Sequence, residues 1–161
     1  MTLVLSVLEQ GMIYAIMALG IYITYTILDF PDLTVDGSFP LGAALSAVLI
    51  TKGVNPMPIY NMTTLFDNDF VRNVFKGGLA QFSNVIIILV ITLVMKFLLD
   101  WYMSTKSGYL LRAVGDNETI VTSMGVDKGI TKIIGLAIAN GLCSLSGCIF
   151  AQQQRYFDIS M

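Results

Sequence analysis

TKSGYLLRAVGDNETIVTSMGVDKGITK, residues 105–132, is a charged stretch between two apolar segments that are each long enough to cross a bilayer. It carries Lys106, Arg112, Lys128 and Lys132 against Asp116, Glu118 and Asp127. Leu110, Leu111, Val114, Ile120, Val121 and Met124 make it too apolar for an ordinary solvated loop. Gly108 is expected to break the preceding helix, and Tyr109–Val114 to form a short amphipathic helix that displays Arg112. Gly115-Asp116-Asn117 then reads as a turn, with Asp116 or Asn117 capping a second helix toward Met124. Gly125 ends that helix in the C′ position. The expected product, over residues 104–132, is a compact helical knob at the membrane surface, presented to a partner.

The rest of the chain reads as membrane protein. Of 161 residues, 55% are hydrophobic and 12% charged, about half the charge of a soluble domain, and mean hydropathy is +0.75. Four apolar segments are expected: 3–28, 38–51, 77–102 and 133–154. Three reach the roughly 20 residues that a span needs, while 38–51 has the length of a broken or re-entrant helix. For that helix Ser38 is the expected N-cap, with Pro40 in the first turn. The fold class is all-α, one polytopic transmembrane helical domain. The N-terminal segment has no positive leading region and too long an apolar run for a signal peptide, so it reads as a retained span. The lysines and arginine of 105–132 place that loop in the cytoplasm. Counting back puts the N-terminus outside and the 29–37 connection inside. Lys52–Phe82 is mixed in polarity, with a short surface helix expected over 67–76.

Two further patterns stand out. DFPDLTVDGS, residues 29–38, joins a full span to the short one; its Asp29, Asp32, Thr34, Asp36 and Ser38 are what a solute path needs, although an interfacial turn with solvated aspartates would read the same way. In the fourth segment Ala139, Cys143, Gly147 and Ala151 recur every four residues, a small-residue stripe suited to close helix packing, and Asn140, Ser144 and Ser146 add interhelical hydrogen-bonding groups. Lys96 and Asp100 are spaced to pair on the third segment.

Catalytic and cofactor signatures are missing. There is no histidine, no C-x-x-C and no G-x-x-x-x-G-K-[ST], so neither an enzyme, a metal centre, a cofactor site nor ATP binding by this chain is expected. A net charge of −2 gives no reason to expect nucleic acid as a partner. Membrane lipid is the expected surroundings. A channel or secondary transporter using Glu9, Lys96 and Asp100, or a remnant that only packs helices, are the other readings.

GYLLRAVGDNETIVTSMGVD resembles the cytoplasmic coupling segment of permease subunits in the branched-chain amino acid permease family of ABC importers, and LDFPDLTVDGSFPLGAA and IIGLAIANGLCSLSGCIFAQQQRYFDIS resemble one subgroup of it. The resemblance covers 3–55 and 61–161. It implies a separate ABC ATPase subunit, an extracellular solute-binding lipoprotein, a second permease protomer and a bacterial plasma membrane location. It also implies that Arg112, Gly115, Asp116, Asn117, Glu118 and Gly125 meet the ATPase. Family members are longer, with further spanning helices between the second helix and the segment resembling NMTTLF, so the chain reads as internally deleted and C-terminally truncated.

Overall fold

The computed structural model describes residues 2–30, 32–51 and 83–154, and these are all-helical. Helix α1, Thr2–Tyr22, continues into a π-helical turn, Ile23–Ile27. Helix α2 is Val35–Thr51 and α3 is Ser83–Met103. The knob holds α4, Lys106–Asp116, and α5, Glu118–Ser123; α6, Lys128–Gln154, is the last described helix. Residues 3–27, 85–103 and 128–153 are long and apolar enough to cross a membrane, whereas α2 is shorter. The expected surface helix over 67–76 and the start of the third segment, 77–82, lie outside the described residues.

Three boundaries differ from the sequence reading, each for a local reason. Helix α2 begins three residues before Ser38, because Asp32 Oδ1 accepts the Thr34 N–H at 2.9 Å and the Thr34 carbonyl then receives Gly37 and Ser38 N–H. Ser38 is therefore inside the helix, not its cap, and Pro40 stands in the second turn. Helix α6 begins at Lys128, since the Asp127 carboxylate accepts Gly129 N–H at 2.8 Å. Lys128 and Lys132 are thus helical residues. Gly108 does not break a helix: Thr105 caps α4, its hydroxyl accepting Gly108 N–H, and α4 runs through Gly115.

Helix α6 is the central post. Helix α1 runs antiparallel to it: Gln153 Nε2 donates to Glu9 at 2.8 Å, Ser146 Oγ to the Ile13 carbonyl at 2.8 Å, and a Cβ on Gly20 would meet the Ala139 carbonyl at 2.6 Å. Helix α2 runs parallel to α6 in its most extensive contact, with Gly42 against the backbone of Ser144, Gly147 against that of Phe39, and Cys148 Sγ at 3.0 Å from the Gly42 carbonyl. Without a hydrophobic drive between helices in lipid, such close backbone approach is what holds them together. Tyr14, Phe39 and Phe150 fill the space between the three helices, with ring centroids 5.7–6.2 Å apart. Helix α3 packs on α1, where Thr92 Oγ1 approaches the Met12 carbonyl. The small-residue stripe serves two partners: Ala139 and Cys143 face α1, Gly147 faces α2, and Ala151 is half-buried. A four-residue repeat on a 3.6-residue helix drifts about 40° per step, which carries the stripe from one neighbour to the next.

Candidate functional site: a polar cluster at membrane depth and the knob beneath it

Asp32, Thr34 and Ser38 converge on Asn140. Asn140 Nδ2 donates to Asp32 Oδ2 at 2.9 Å; an ionised carboxylate only accepts, so this contact also orients the amide. Thr34 Oγ1 lies 2.6 Å from Asp32 Oδ1 and 3.1 Å from Asn140 Oδ1. Ser38 Oγ lies 2.6 Å from Asn140 Oδ1 and 2.9 Å from the Thr34 carbonyl. Asp32 and Ser38 are half-buried and Thr34 is exposed, so the cluster is accessible from one side.

Its depth follows from α6. No charged residue occurs between Lys132 and Gln152. Asn140 is eight residues past Lys132 and twelve short of Gln152, about 12 Å and 18 Å along the axis at 1.5 Å per residue. The start of α2 therefore lies well inside the apolar part of the post. Irregular backbone at such depth persists only where protein or a watery cavity satisfies it. The same geometry explains where α2 begins. Helix α2 lies along α6 beyond the cluster, while the chain turns back from Leu28, which packs at Gly135.

Of the five expected path residues, three join the cluster. Asp29 and Asp36 are exposed and outside it. Asp29 holds φ +48°, in the left-handed region that costs a non-glycine residue about 1–3 kcal/mol, at the point where the chain leaves the π turn. Asn140 was legible only as a packing group. Its signal was that it is the one carboxamide between residues 133 and 151. A cavity of about 450 Å³ between α2, α3 and α6 has an almost entirely apolar lining that includes Leu45, Leu49, Ile91 and Leu145, and it offers little to orient a polar solute.

The knob lies directly under the π turn. A Cβ at Gly115 would overlap the Ile27 carbonyl oxygen and sit 2.9 Å from its carbon, so α4 touches backbone there. Gly115 is thus a packing residue facing the membrane domain, inside α4 and not in the expected turn. Leu111 and Val114 are fully buried on the same face of α4. Asn117 caps α5, its Oδ1 accepting Thr119 and Ile120 N–H at 3.0 and 3.2 Å. Gly125, at φ +80°, closes α5: its N–H reaches the Thr122 carbonyl while Val126 N–H reaches that of Val121, the Schellman arrangement. Glu118 ties α5 to α6, binding Lys128 at 3.1 Å and Lys132 as well. Hydrogen bonds from Lys132 first, then Lys128, hold its carboxyl below the ordinary 4.5. Arg112, Asp116, Tyr109, Ile120 and Met124 remain exposed. Lys96 pairs with Asp100 at 2.6 Å on the exposed side of α3, whereas Glu9 bonds Gln153, so these three charges are not brought together.

The family model for the branched-chain amino acid transport system permease component matches residues 3–66 and 58–161. The chain belongs to this permease family. A tyrosine transport system permease protein of Clostridioides difficile (strain R20291) is 33% identical over 198 aligned positions, which cover 98% of this chain and 67% of the relative. An uncharacterised protein of Rickettsia prowazekii (strain Madrid E) is 28% identical over 204 positions, covering all of this chain and 72% of its own length. Both alignments exceed the 161 residues of the permease, so the relatives carry residues within the aligned region that it lacks. No solved structure matches it. With three helices of spanning length and a shorter apolar helix among the described residues, the permease is a membrane transport component.

Proposed function

We propose that this permease is the membrane-spanning subunit of an ATP-binding cassette importer for an amino acid or related small solute, in a bacterial plasma membrane. Its partners are a separate ATPase subunit, an extracellular solute-binding lipoprotein and a second permease protomer. One observation carries the reading: the knob packs backbone to backbone on the π turn, and five residues past Ile27 the chain reaches Asp32 of the polar cluster. π-Helical turns are frequent at functional sites. An ATPase that moves α4 would shift Ile27 through Gly115 and, through the strained Asp29, the mouth of α2. Arg112, Asp116 and Asn117, with the apolar Ile120 and Met124, form the face offered to that ATPase, while Glu118 braces α5 from behind. Solute would pass the cluster as access alternates. The likeness to a tyrosine transport system permease protein of Clostridioides difficile supports an amino-acid solute.

Arg112→Glu tests the docking face, because it reverses a charge that is exposed and outside the packed core. With a co-expressed ATPase subunit bearing a G-x-x-x-x-G-K-[ST] loop, the variant is expected to insert normally but to lose ATPase co-purification or ATP-dependent uptake. Wild-type levels of both would refute the assignment.

A further inference from the structure

Helix α3 packs on α1 and on the knob helix α4, but it makes no extensive contact with α2 or α6. The relatives give a reason. In the Clostridioides alignment 98% of this chain fills about 158 of the 198 positions, so about 40 positions of the relative have no counterpart here. The family match breaks into 3–66 and 58–161, which places the missing stretch between α2 and α3, the two helices that stand apart across the apolar cleft. Leu45 and Leu49 of α2, Ile91 of α3 and Leu145 of α6 line that cleft. At Gly141 nothing lies within 4 Å of an added Cβ, so the slot is open there.

The dimensions select the occupant. Along α6 the cleft runs from Gly141 to Gln152, eleven residues, or about 16 Å at 1.5 Å per residue. Half of a ~30 Å hydrocarbon core is about 15 Å, and Gln152 stands at the end of α6 away from the knob, so the cleft spans the leaflet opposite the knob. Spread over that length, 450 Å³ is a cross-section of about 28 Å², a slot roughly 6 Å wide, whereas a helix with its side chains is about 10–12 Å across. An apolar cavity of roughly 150 Å³ stays dry and takes one six-carbon ring, so this volume takes a chain of about 18 carbons. Polar groups on the wall are turned to protein: Ser46 Oγ donates to the Ala43 carbonyl at 2.8 Å, and Cys148 Sγ lies 3.0 Å from that of Gly42. Gln152 differs. Its carboxamide has no hydrogen-bond partner among the described residues, and it stands at the end of the slot nearest the membrane surface.

We infer that the cleft between α2, α3 and α6 binds one acyl chain of a phospholipid from the leaflet opposite the knob, with the ester groups of that lipid at the Gln152 carboxamide. The lipid fills space that the relatives' additional residues leave vacant here, and it joins α3 to α2 and α6. The inference stands without the transport reading.

The test uses the full chain in nanodiscs of phosphatidylethanolamine and phosphatidylglycerol, with a rising fraction of phosphatidylethanolamine that carries a diazirine on one acyl chain. Peptide mass spectrometry reads the adducts. They are expected on Leu45, Leu49, Ile91 and Leu145, saturating at one lipid per chain, while exposed Leu8 and Phe97 label in proportion to the fraction added. Gly141→Leu and Ile91→Trp fill the slot from opposite walls, and each should lower the cleft adducts to the Leu8 level; either suffices if the other fails to insert. Leu93→Trp, on the exposed face of α3, should change nothing. Gln152→Leu should spread the adducts along the slot, and unchanged positions would remove Gln152 from the site. Proportional labelling of the cleft in the wild type would overturn the inference, leaving ordinary lipid-facing surface. Protection of the cleft from label in discs that hold two chains would overturn it in favour of a protein occupant. Stronger labelling by a diazirine fatty acid at equal fraction would overturn the assignment to phospholipid. No ATPase or solute takes part, so this result and that of the Arg112 test are independent.

Discussion

Gly147→Ala probes the contact on which the cluster depends. A Cβ at 147 would overlap the Phe39 carbonyl oxygen and sit 2.9 Å from its carbon and 3.3 Å from the Ala43 nitrogen. Carbon atoms rest about 3.5–4.0 Å apart, so α2 must retreat by roughly 1 Å. Both neighbours are backbone, so no side chain can rotate aside. Phe39 is adjacent to Ser38, and the same retreat stretches the 2.6 Å Ser38–Asn140 bond beyond hydrogen-bonding range. Overpacking costs about 1–3 kcal/mol, and each interhelical hydrogen bond lost within a membrane about 0.6 kcal/mol. The gain in helix propensity from glycine to alanine returns about 0.5–1 kcal/mol. The expected outcome is a net loss of about 2 kcal/mol. Gly141→Ala is the control on the same helix: nothing lies within 4 Å of its Cβ, so it should stabilise by about 0.5–1 kcal/mol. Cys143 and Cys148, the chain's two cysteines, both sit on α6 and report unfolding without added labels. Thermal unfolding in detergent, followed with a thiol-reactive fluorophore, should place Gly147→Ala below wild type and Gly141→Ala at or above it. Equal midpoints for the two variants would refute the close α2–α6 approach.

The knob carries its own tests. Glu118 has a lowered folded-state pKa, so its contribution is present above the ordinary 4.5 and is lost as pH falls through the lowered value. Amide exchange over 119–124, corrected for intrinsic rates, should therefore stay protected at neutral pH and quicken in acid, and Glu118→Gln should exchange quickly at both. Gly125→Ala forces a side chain into φ +80° and should cost about 1–2 kcal/mol, seen as faster exchange at the end of α5 with α1–α6 packing unchanged.

Much of this molecule can be read from residue order. The spans follow from apolar runs of bilayer length, and the second knob helix from a capping Asn117 and the terminating Gly125, because these signals are local and each residue carries its own cause. The caps that moved α2 and α6 outward, Asp32 and Asp127, were also local. They were obscured because nearby Ser38 and the lysines offered competing readings. Gly115 shows the limit. As a glycine beside Asp116-Asn117 it reads as a turn, yet its lack of a side chain serves contact with Ile27, a residue 88 positions away. Nothing in the neighbouring letters could reveal that.

Residue types and spacing by themselves determined a helical membrane protein with a charged helical element between two spans, since hydrophobicity and capping act within a few residues. Only the tertiary structure decided that Asp32, Thr34 and Ser38 meet Asn140, more than 100 positions along the chain, and that they meet at membrane depth. That outcome depends on α2 running parallel to α6 with Gly42 and Gly147 in backbone contact. Helix register is set by packing between distant surfaces, and it turned a set of polar residues in a connection into a site.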